Sequence, residues 1–178
     1  MNTGAGLIER RLTLHPLGAI HAAFVRSLYA ETEVTRMLLR IQRPLSAQEA
    51  LALCDSSLAK PGEHRFAAVL ESSGRPVGVG IVRAADAAAT IGYSVAPSFW
   101  RQGIGTEVAS LLVQFAERIG SLEVRATTLD TNTASERILT RLGFVVVDPD
   151  ARETDSRGDE RRVVRWTLHA ASGGGRPG

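Results

Sequence analysis

The sequence predicts one α/β (α+β) domain, with a mixed, mostly antiparallel sheet of six or seven strands and about four helices. The chain has 178 residues, a length typical of a single domain with its own core. Apolar residues make up 44% and charged residues 22%, which disfavours a disordered or fibrous chain. Helical segments interrupt the strands irregularly, which disfavours a doubly wound alternation of strands and helices.

The chain begins with a predicted strand and helix. A half-buried strand is indicated over Leu7 to Leu14. Ile20, Phe24 and Leu28 then fall at helical spacing, which predicts a helix from about Leu17 to Ala30.

Two shorter helical segments are predicted next. A helical turn over 34–41 is expected to end before Pro44. Ser46 and Glu49 have the spacing of a capping box, which predicts a helix that runs to about Leu58.

Three strands are predicted in the middle of the chain. Two of them, over 66–70 and 77–82, flank a Ser-Ser-Gly-Arg-Pro turn and are expected to form a hairpin. The third covers 89–95 and ends before Pro97.

The clearest helical pattern follows this third strand. Its apolar face consists of Val108, Leu111, Leu112, Phe115, Ala116 and Ile119. Gly120 is expected to end the helix, and a strand is predicted over 122–129.

The last elements are a helix and two strands. Thr133 and Glu136 form a second capping-box pattern, so a helix is expected to open there and to end before Gly143. Its apolar face consists of Ile138, Leu139 and Leu142. Strands over 144–147 and 162–168 complete the prediction, separated by a charged hairpin loop.

The ends of the chain differ from its middle in composition. Residues 1–6 are expected to be flexible, 7–170 to form the single domain, and the Gly-rich 171–178 to be a flexible tail.

No apolar run approaches the roughly 20 residues that span a bilayer, and no basic start precedes an apolar leader. These patterns predict a cytoplasmic protein without a membrane partner.

Cysteine content and charge disfavour two other classes of function. Cys54 is the single cysteine, so neither an internal disulfide nor a zinc site is expected, and its place beside Leu51 and Leu58 predicts a core residue. The 21 Lys+Arg and 19 Asp+Glu give a formal net charge of +2. Because so small an excess neutralises few phosphates, no nucleic-acid partner is expected.

An anion site is predicted within residues 91–107, IGYSVAPSFWRQGIGTE, where Gly103 and Gly105 open the amphipathic helix. The first amides of a helix lack internal partners, and the helix dipole adds about half a positive charge there. The glycines leave these amides accessible, so a phosphate or pyrophosphate is the natural ligand, although a purely structural turn also explains a Gly-x-Gly pair. A third glycine and a phosphate-binding lysine are absent, which disfavours a dinucleotide-binding turn and a nucleotide triphosphatase.

Two motifs resemble the GCN5-related N-acetyltransferase (GNAT) superfamily. The run WRQGIG over 100–105 is similar to its acyl-CoA signature, Q/R-x-x-G-x-G/A, with Trp100 at the first position. The run NTASERILTRLGF over 132–144 resembles its N-x-x-S…L-G-F segment. The strand IGYSVAP is most similar to the branch of the ribosomal-protein N-terminal acetyltransferases (RimJ/RimL-like). The resemblance implies a GNAT-like fold and an enzyme that uses acetyl-CoA as co-substrate, without a metal.

The resemblance also implies where coenzyme A binds. Its pyrophosphate would contact the glycine turn, formed by Arg101, Gln102, Gly103, Ile104, Gly105 and Thr106. Its pantetheine arm would pair with the strand edge at Tyr93, Ser94 and Val95, where the superfamily has a bulge. The Val95 amide would polarise the thioester carbonyl, and Asn132 would contact the cofactor arm.

The implied reaction is direct transfer of the acetyl group to a primary amine in a ternary complex. The acceptor would be a protein N-terminus, an amino acid or a small amine. Many relatives have a tyrosine acid where this chain has Leu139, and a glutamate where it has Thr90. Ser135 could supply the acid instead, or could only cap its helix. Glu31 and Glu33 could bind the acceptor, or could form a solvated turn.

The general base and the assembly are left open by the sequence. His15, His21, His64 and His169 have a suitable intrinsic pKa, but each is more simply a structural or surface residue, and a water relay is equally compatible. The alternative function is a non-catalytic acyl-CoA-binding sensor or interaction domain. A monomer and a homodimer both fit.

Overall fold

Seven strands form one sheet in the computed structural model, which describes residues 11–169. They are β1 (Leu12–Pro16), β2 (Glu63–Leu70), β3 (Pro76–Ala85), β4 (Ala88–Val95), β5 (Glu123–Leu129), β6 (Val145–Thr154) and β7 (Glu160–His169). Their order is β1-β2-β3-β4-β5-β7-β6, and every neighbouring pair is antiparallel except β4 with β5. The predicted mixed, mostly antiparallel sheet is therefore confirmed. The predictions for 1–6 and 171–178, and the start of the strand predicted over 7–14, fall outside the described residues.

The helices are α1 (Ala22–Leu28), α2 (Thr32–Thr35), α3 (Ala47–Cys54), α4 (Ile104–Arg118) and α5 (Thr133–Arg141). Short 3-10 turns lie before α1, after α3 and after β4, at Ala19–His21, Ser56–Leu58 and Pro97–Phe99. Within 11–169, no helix has the length and apolarity needed to cross a membrane.

The first predicted helix is shorter than its periodicity indicates. Ile20 was expected on the apolar face but is 89% exposed, because it lies in the 3-10 turn before α1. Local hydrogen bonds hold that turn, since the His21 amide donates to the Gly18 carbonyl at 2.8 Å and the Gly18 amide donates to His21 Nδ1 at 3.1 Å. The α-helix therefore begins only at Ala22.

One of the two predicted capping boxes is correct. Ser46 Oγ accepts from the Glu49 amide at 3.2 Å, and Glu49 Oε2 accepts from the Ser46 amide at 2.8 Å. The second is wrong, because Asn132 caps α5 by accepting from the Ser135 amide at 3.1 Å and Thr133 is already helical. The short amide side chain of an asparagine reaches this amide as readily as a hydroxyl does.

Each face of the sheet carries its own core. Phe66 and Ala68 pack with α4, whereas the alternate residues Ala67 and Val69 pack with α1 and α3, as the period of a strand requires. Cys54 is buried in the core around α1 and α3, which confirms its predicted structural place.

Candidate functional site

A gap opens in the sheet between β4 and β5. These strands pair only where Ala88–Thr90 faces Glu123–Arg125. Farther on, β4 follows β3 up to Val95 while β5 follows β7 up to Leu129, so the two facing edges have no strand partner in the described part of the chain. The gap contributes to a cavity of about 370 Å³, a volume in the range of small-molecule sites.

The edge of β4 directs backbone amides into this gap. The Ala96 amide donates to the Val77 carbonyl at 2.9 Å. Because antiparallel ladders alternate, the Ser94 amide also faces β3, and the Tyr93 and Val95 amides face the gap. The Val95 carbonyl accepts from Trp100 Nε1 at 2.7 Å, which leaves its amide as the available backbone group.

Two expectations about this edge need correction. The β3–β4 register continues without a shift from Ala88 to Val95, so the bulge implied by the resemblance is absent. The Tyr93 and Val95 amides are exposed because β5 diverges from β4 beyond Thr90. Ser94 does not present its amide to the gap; instead, its side chain is buried at the cavity wall.

The glycine turn, residues 101–106, leads into the first turn of α4 and contains the six predicted cofactor residues. Arg101 and Gly103 have positive φ angles of 59° and 80°. From Arg101 to Thr106, no backbone amide has a hydrogen-bond partner in residues 11–169, and the next amide, of Glu107, bonds the Gly103 carbonyl at 3.1 Å. The turn therefore presents consecutive free amides at the positive end of a 15-residue helix.

Arg11 lies beside the glycine turn and was missed by the sequence analysis. Arg11 Nη2 donates to the Gln102 carbonyl at 2.9 Å. Glu107 Oε1 accepts from the amides of Arg11 and Leu12 at 2.7 and 2.9 Å, so it ties the start of β1 to the first turn of α4. The half-exposed guanidinium lies beside the predicted anion site, where Glu107 Oε2, 3.3 Å from Arg11 Nε, partly balances its charge. No local pattern could reveal a contact between residues 96 positions apart.

Tyr93 and Ser135 meet across the gap, where Tyr93 Oη lies 2.8 Å from Ser135 Oγ. Asn132 places Ser135 in the first turn of α5 through the cap described above. Burial raises the pKa of Tyr93 to about 12, although its hydrogen bond to Ser135 acts in the opposite direction. The phenol thus remains protonated at neutral pH. Leu139, in contrast, is fully buried in the core and offers no group to the cavity.

The far side of the cavity is formed by residues 37–41 and by β6. Glu153 is the one carboxylate among the described lining residues, and Thr90 contributes a hydroxyl. Glu31 and Glu33 are exposed around the start of α2 and do not line the cavity. The structure therefore does not bring the two predicted acceptor residues to the site. It brings Glu153, which sequence reasoning missed because no motif surrounds it.

A buried carboxylate fixes this far wall, in an arrangement that we call the Asp155 clasp. The Asp155 side chain is 2% exposed and accepts from Gln42 Nε2 and from the Arg157 amide, each at 2.8 Å. The Ser156 amide donates to the Leu39 carbonyl at 2.9 Å. Burial opposes ionisation of Asp155, but these hydrogen bonds outweigh it and lower its pKa to about 2. The clasp joins the segment before α3 to the β6–β7 hairpin.

The histidines lie elsewhere. None of the four is among the residues that line the cavity, and the ring of His64 packs edge-on against Phe115 at 5.0 Å. Burial lowers the pKa of His21, which is held in the turn before α1. Within residues 11–169, no group of three His, Cys, Asp or Glu side chains could hold a metal ion.

Comparison with known proteins agrees with this geometry. The acetyltransferase (GNAT) domain family matches residues 11–145. The FsC-acetyl coenzyme A-N(2)-transacetylase of Aspergillus fumigatus is 28% identical in an alignment 175 residues long, and the alignment covers 89% of this chain and 73% of that protein. An acetyltransferase of the GNAT family from Bacillus anthracis has a similar structure, with a TM-score of 0.76, 14% identity and coverage of 89% of this chain and 95% of that one. RimL, a ribosomal L7/L12 alpha-N-protein acetyltransferase solved with coenzyme A, also gives a TM-score of 0.76, at 21% identity and coverage of 91% and 96%.

Proposed function

The chain belongs to the GNAT acetyltransferase family, and we propose that it transfers an acetyl group from acetyl-CoA directly to a primary amine. The observation that carries this proposal is a row of three sets of available donors. It runs from the free amides of the glycine turn, along the open edge of β4, to the Tyr93–Ser135 pair. The likeness to RimL supports a place in the RimJ/RimL-like branch. A cytoplasmic location and a single domain over 7–170 are part of the same proposal.

The residues of the glycine turn fit the pyrophosphate of coenzyme A. Amides 101–106 are free to donate, and Arg11 supplies a cation beside them. A Cβ atom on Gly103 would enter this cradle, 3.2 Å from Arg11 Nη2. The Tyr93 and Val95 amides would hold the pantetheine arm, and the Asn132 side chain faces the same cavity. Bound there, acetyl-CoA supplies an activated acetyl thioester.

Two groups of this chain would assist the transfer. The Val95 amide would donate to the carbonyl oxygen on which negative charge develops. Tyr93 would donate to Ser135 Oγ, which turns the Ser135 hydroxyl proton towards the leaving sulfur. Ser135 therefore takes the role of acid that Leu139 cannot fill.

On the other side of the cavity, Glu153 would bind the amine and remove its proton. A general base must lie within hydrogen-bond reach of the proton that it takes, and Glu153 is the carboxylate that the cavity offers. The arrangement requires no covalent acyl-enzyme, which agrees with the buried position of Cys54 in a separate core.

The test combines thermal stabilisation by coenzyme A with thiol release from acetyl-CoA in the presence of peptides, amino acids, polyamines and aminoglycosides. We expect stabilisation and acceptor-dependent release. Ser135→Ala should lower kcat about 100-fold, at the lower end of the effect of a general acid. Thr140→Ala is the matched control, because it removes an exposed hydroxyl that bonds only within α5.

Other outcomes would contradict the proposal in distinct ways. Stabilisation without thiol release from any acceptor would favour the alternative function, an acyl-CoA-binding sensor. Absence of stabilisation at saturating coenzyme A would refute the assignment of the glycine turn.

A further inference from the structure

Glu153 lies between two guanidinium groups without a hydrogen bond to either. Its carboxylate oxygens are 3.8 Å from Arg40 Nη2 and 3.7 Å from Arg165 Nε. Both distances exceed the roughly 2.7–3.2 Å of an N–H···O hydrogen bond, and Glu153 makes no such bond within residues 11–169. Its side chain is 24% exposed. The carboxylate therefore keeps its accepting positions available to a ligand in the cavity.

Arg40 offers a cation with available donors at the same mouth of the cavity. Its side chain is 71% exposed, and within residues 11–169 the long ion pair with Glu153 is the only ion pair or hydrogen bond of this side chain. Arg83 also lines the cavity, but Arg83 Nε donates to Glu63 Oε2 at 2.6 Å. Arg40 is thus the lining cation in which all five N–H donors are available, whereas Arg83 is already hydrogen-bonded through Nε.

The Asp155 clasp sets the relative position of Arg40 and Glu153. Arg40 follows Leu39, whose carbonyl bonds the Ser156 amide, and Glu153 precedes Asp155 by two residues. A cation and an anion are therefore held side by side by the buried connection between two segments.

From this arrangement we propose that the acceptor is a small free amino acid, with its ammonium on Glu153 and its carboxylate on Arg40. The inference rests on the proposed function and specifies its substrate class. An amino acid carries its two charges one carbon apart, and a guanidinium binds a carboxylate through two parallel hydrogen bonds. The cavity of about 370 Å³ must also admit the thioester, which leaves room for a small acceptor. Arg40, Arg83 and Arg165 together disfavour polyamines.

The test compares amino acids with their primary amides, for example alanine with alaninamide. The quantity measured is the ratio of kcat/KM for the acid to kcat/KM for the amide. The amines of the acid and the amide differ in basicity, so the ratio in one protein is not informative by itself. The readout is the change of this ratio between the unmodified protein and each variant. In Arg40→Gln the ratio should fall about tenfold or more, the loss expected for a hydrogen-bonded ion pair. Arg36→Gln is the matched control, since Arg36 is exposed, lies four residues away and does not line the cavity. Its ratio should equal that of the unmodified protein.

An unchanged ratio in Arg40→Gln, or acetylation confined to amines without a carboxylate, overturns this inference while the proposed function stands. Binding of coenzyme A without acetylation of any amine overturns both.

Discussion

The two ends of α4 allow a paired test of the anion site. Gly103 precedes the helix with φ of 80°, and Gly120 follows it with φ of 93°. Alanine at either position forces a side chain into the left-handed region, which costs about 1–2 kcal/mol. For a chain of this size, 1 kcal/mol lowers the Tm by about 2–4 °C. We therefore expect Gly103→Ala and Gly120→Ala to lose similar stability.

Their effects on the binding of coenzyme A should differ. A Cβ atom on Gly120 would meet nothing within 4 Å, whereas one on Gly103 would lie in the glycine turn, 3.2 Å from Arg11 Nη2. Displacement of the pyrophosphate by one methyl group should remove at least one charged hydrogen bond, worth about 1.5–3 kcal/mol. The Kd of coenzyme A should therefore rise about 10- to 100-fold in Gly103→Ala and stay unchanged in Gly120→Ala.

Calorimetric titration measures both Kd values directly, and thermal denaturation supplies an independent check. Ligand at 100 times its Kd stabilises a protein by about 2.7 kcal/mol, and tenfold weaker binding removes about 1.4 kcal/mol of this. Equal affinity of the two variants for coenzyme A would refute the reasoning, because the methyl group would then lie away from the bound phosphates.

Three further predictions concern titratable groups. Burial raises the pKa of both tyrosines of the chain, Tyr29 and Tyr93, to about 12, so tyrosinate absorbance should rise near pH 12 in the folded protein and near pH 10 in urea. The two buried, protonated tyrosines should contribute fully to the free energy of unfolding below pH 10, and this contribution should be lost as the pH rises towards 12. A tyrosinate transition near pH 10 in the folded protein would contradict their burial. The pKa of Asp155 is lowered to about 2, so its ionised form should stabilise the clasp above about pH 4. This stabilisation should be lost as the pH falls through 2, and acid denaturation measures the loss. At neutral pH, Asp155→Asn should raise the KM of the amine about tenfold and leave the KM of acetyl-CoA unchanged, whereas an equal rise in both would show a general loss of structure.

Local sequence patterns predicted the elements that carry their own signals. The turn between β2 and β3, the capping box at Ser46 and the amphipathic face of α4 each depend on residues close in the chain. The first two were correct. The third was correct from Val108 to Ala116, whereas Ile119 lies beyond the end of α4 and is 41% exposed. Errors arose where two neighbouring residues or two local conformations fit the same sequence pattern. Asn132 rather than Thr133 caps α5, and Ile20 lies in a 3-10 turn instead of on the apolar face of α1.

The candidate site was predicted on its cofactor side and missed on its acceptor side. The glycine turn is contiguous, so the sequence revealed its residues together. Tyr93 and Ser135 are 42 residues apart, and their contact depends on the divergence of β4 from β5. Glu153 faces the cavity because of the β6–β7 register and the Asp155 clasp, neither of which leaves a pattern in the sequence.

The short parallel ladder between β4 and β5 makes the sheet a structure of two halves. One half runs from β1 to β4 and the other from β5 through β7 to β6, and three residue pairs at Ala88–Thr90 join them. A molecule held by both the β4 edge and α5 acts as an additional cross-link between these halves. Amide hydrogen exchange in β4 and β5 should therefore slow together when the gap is filled, because opening the sheet would first require release of the ligand.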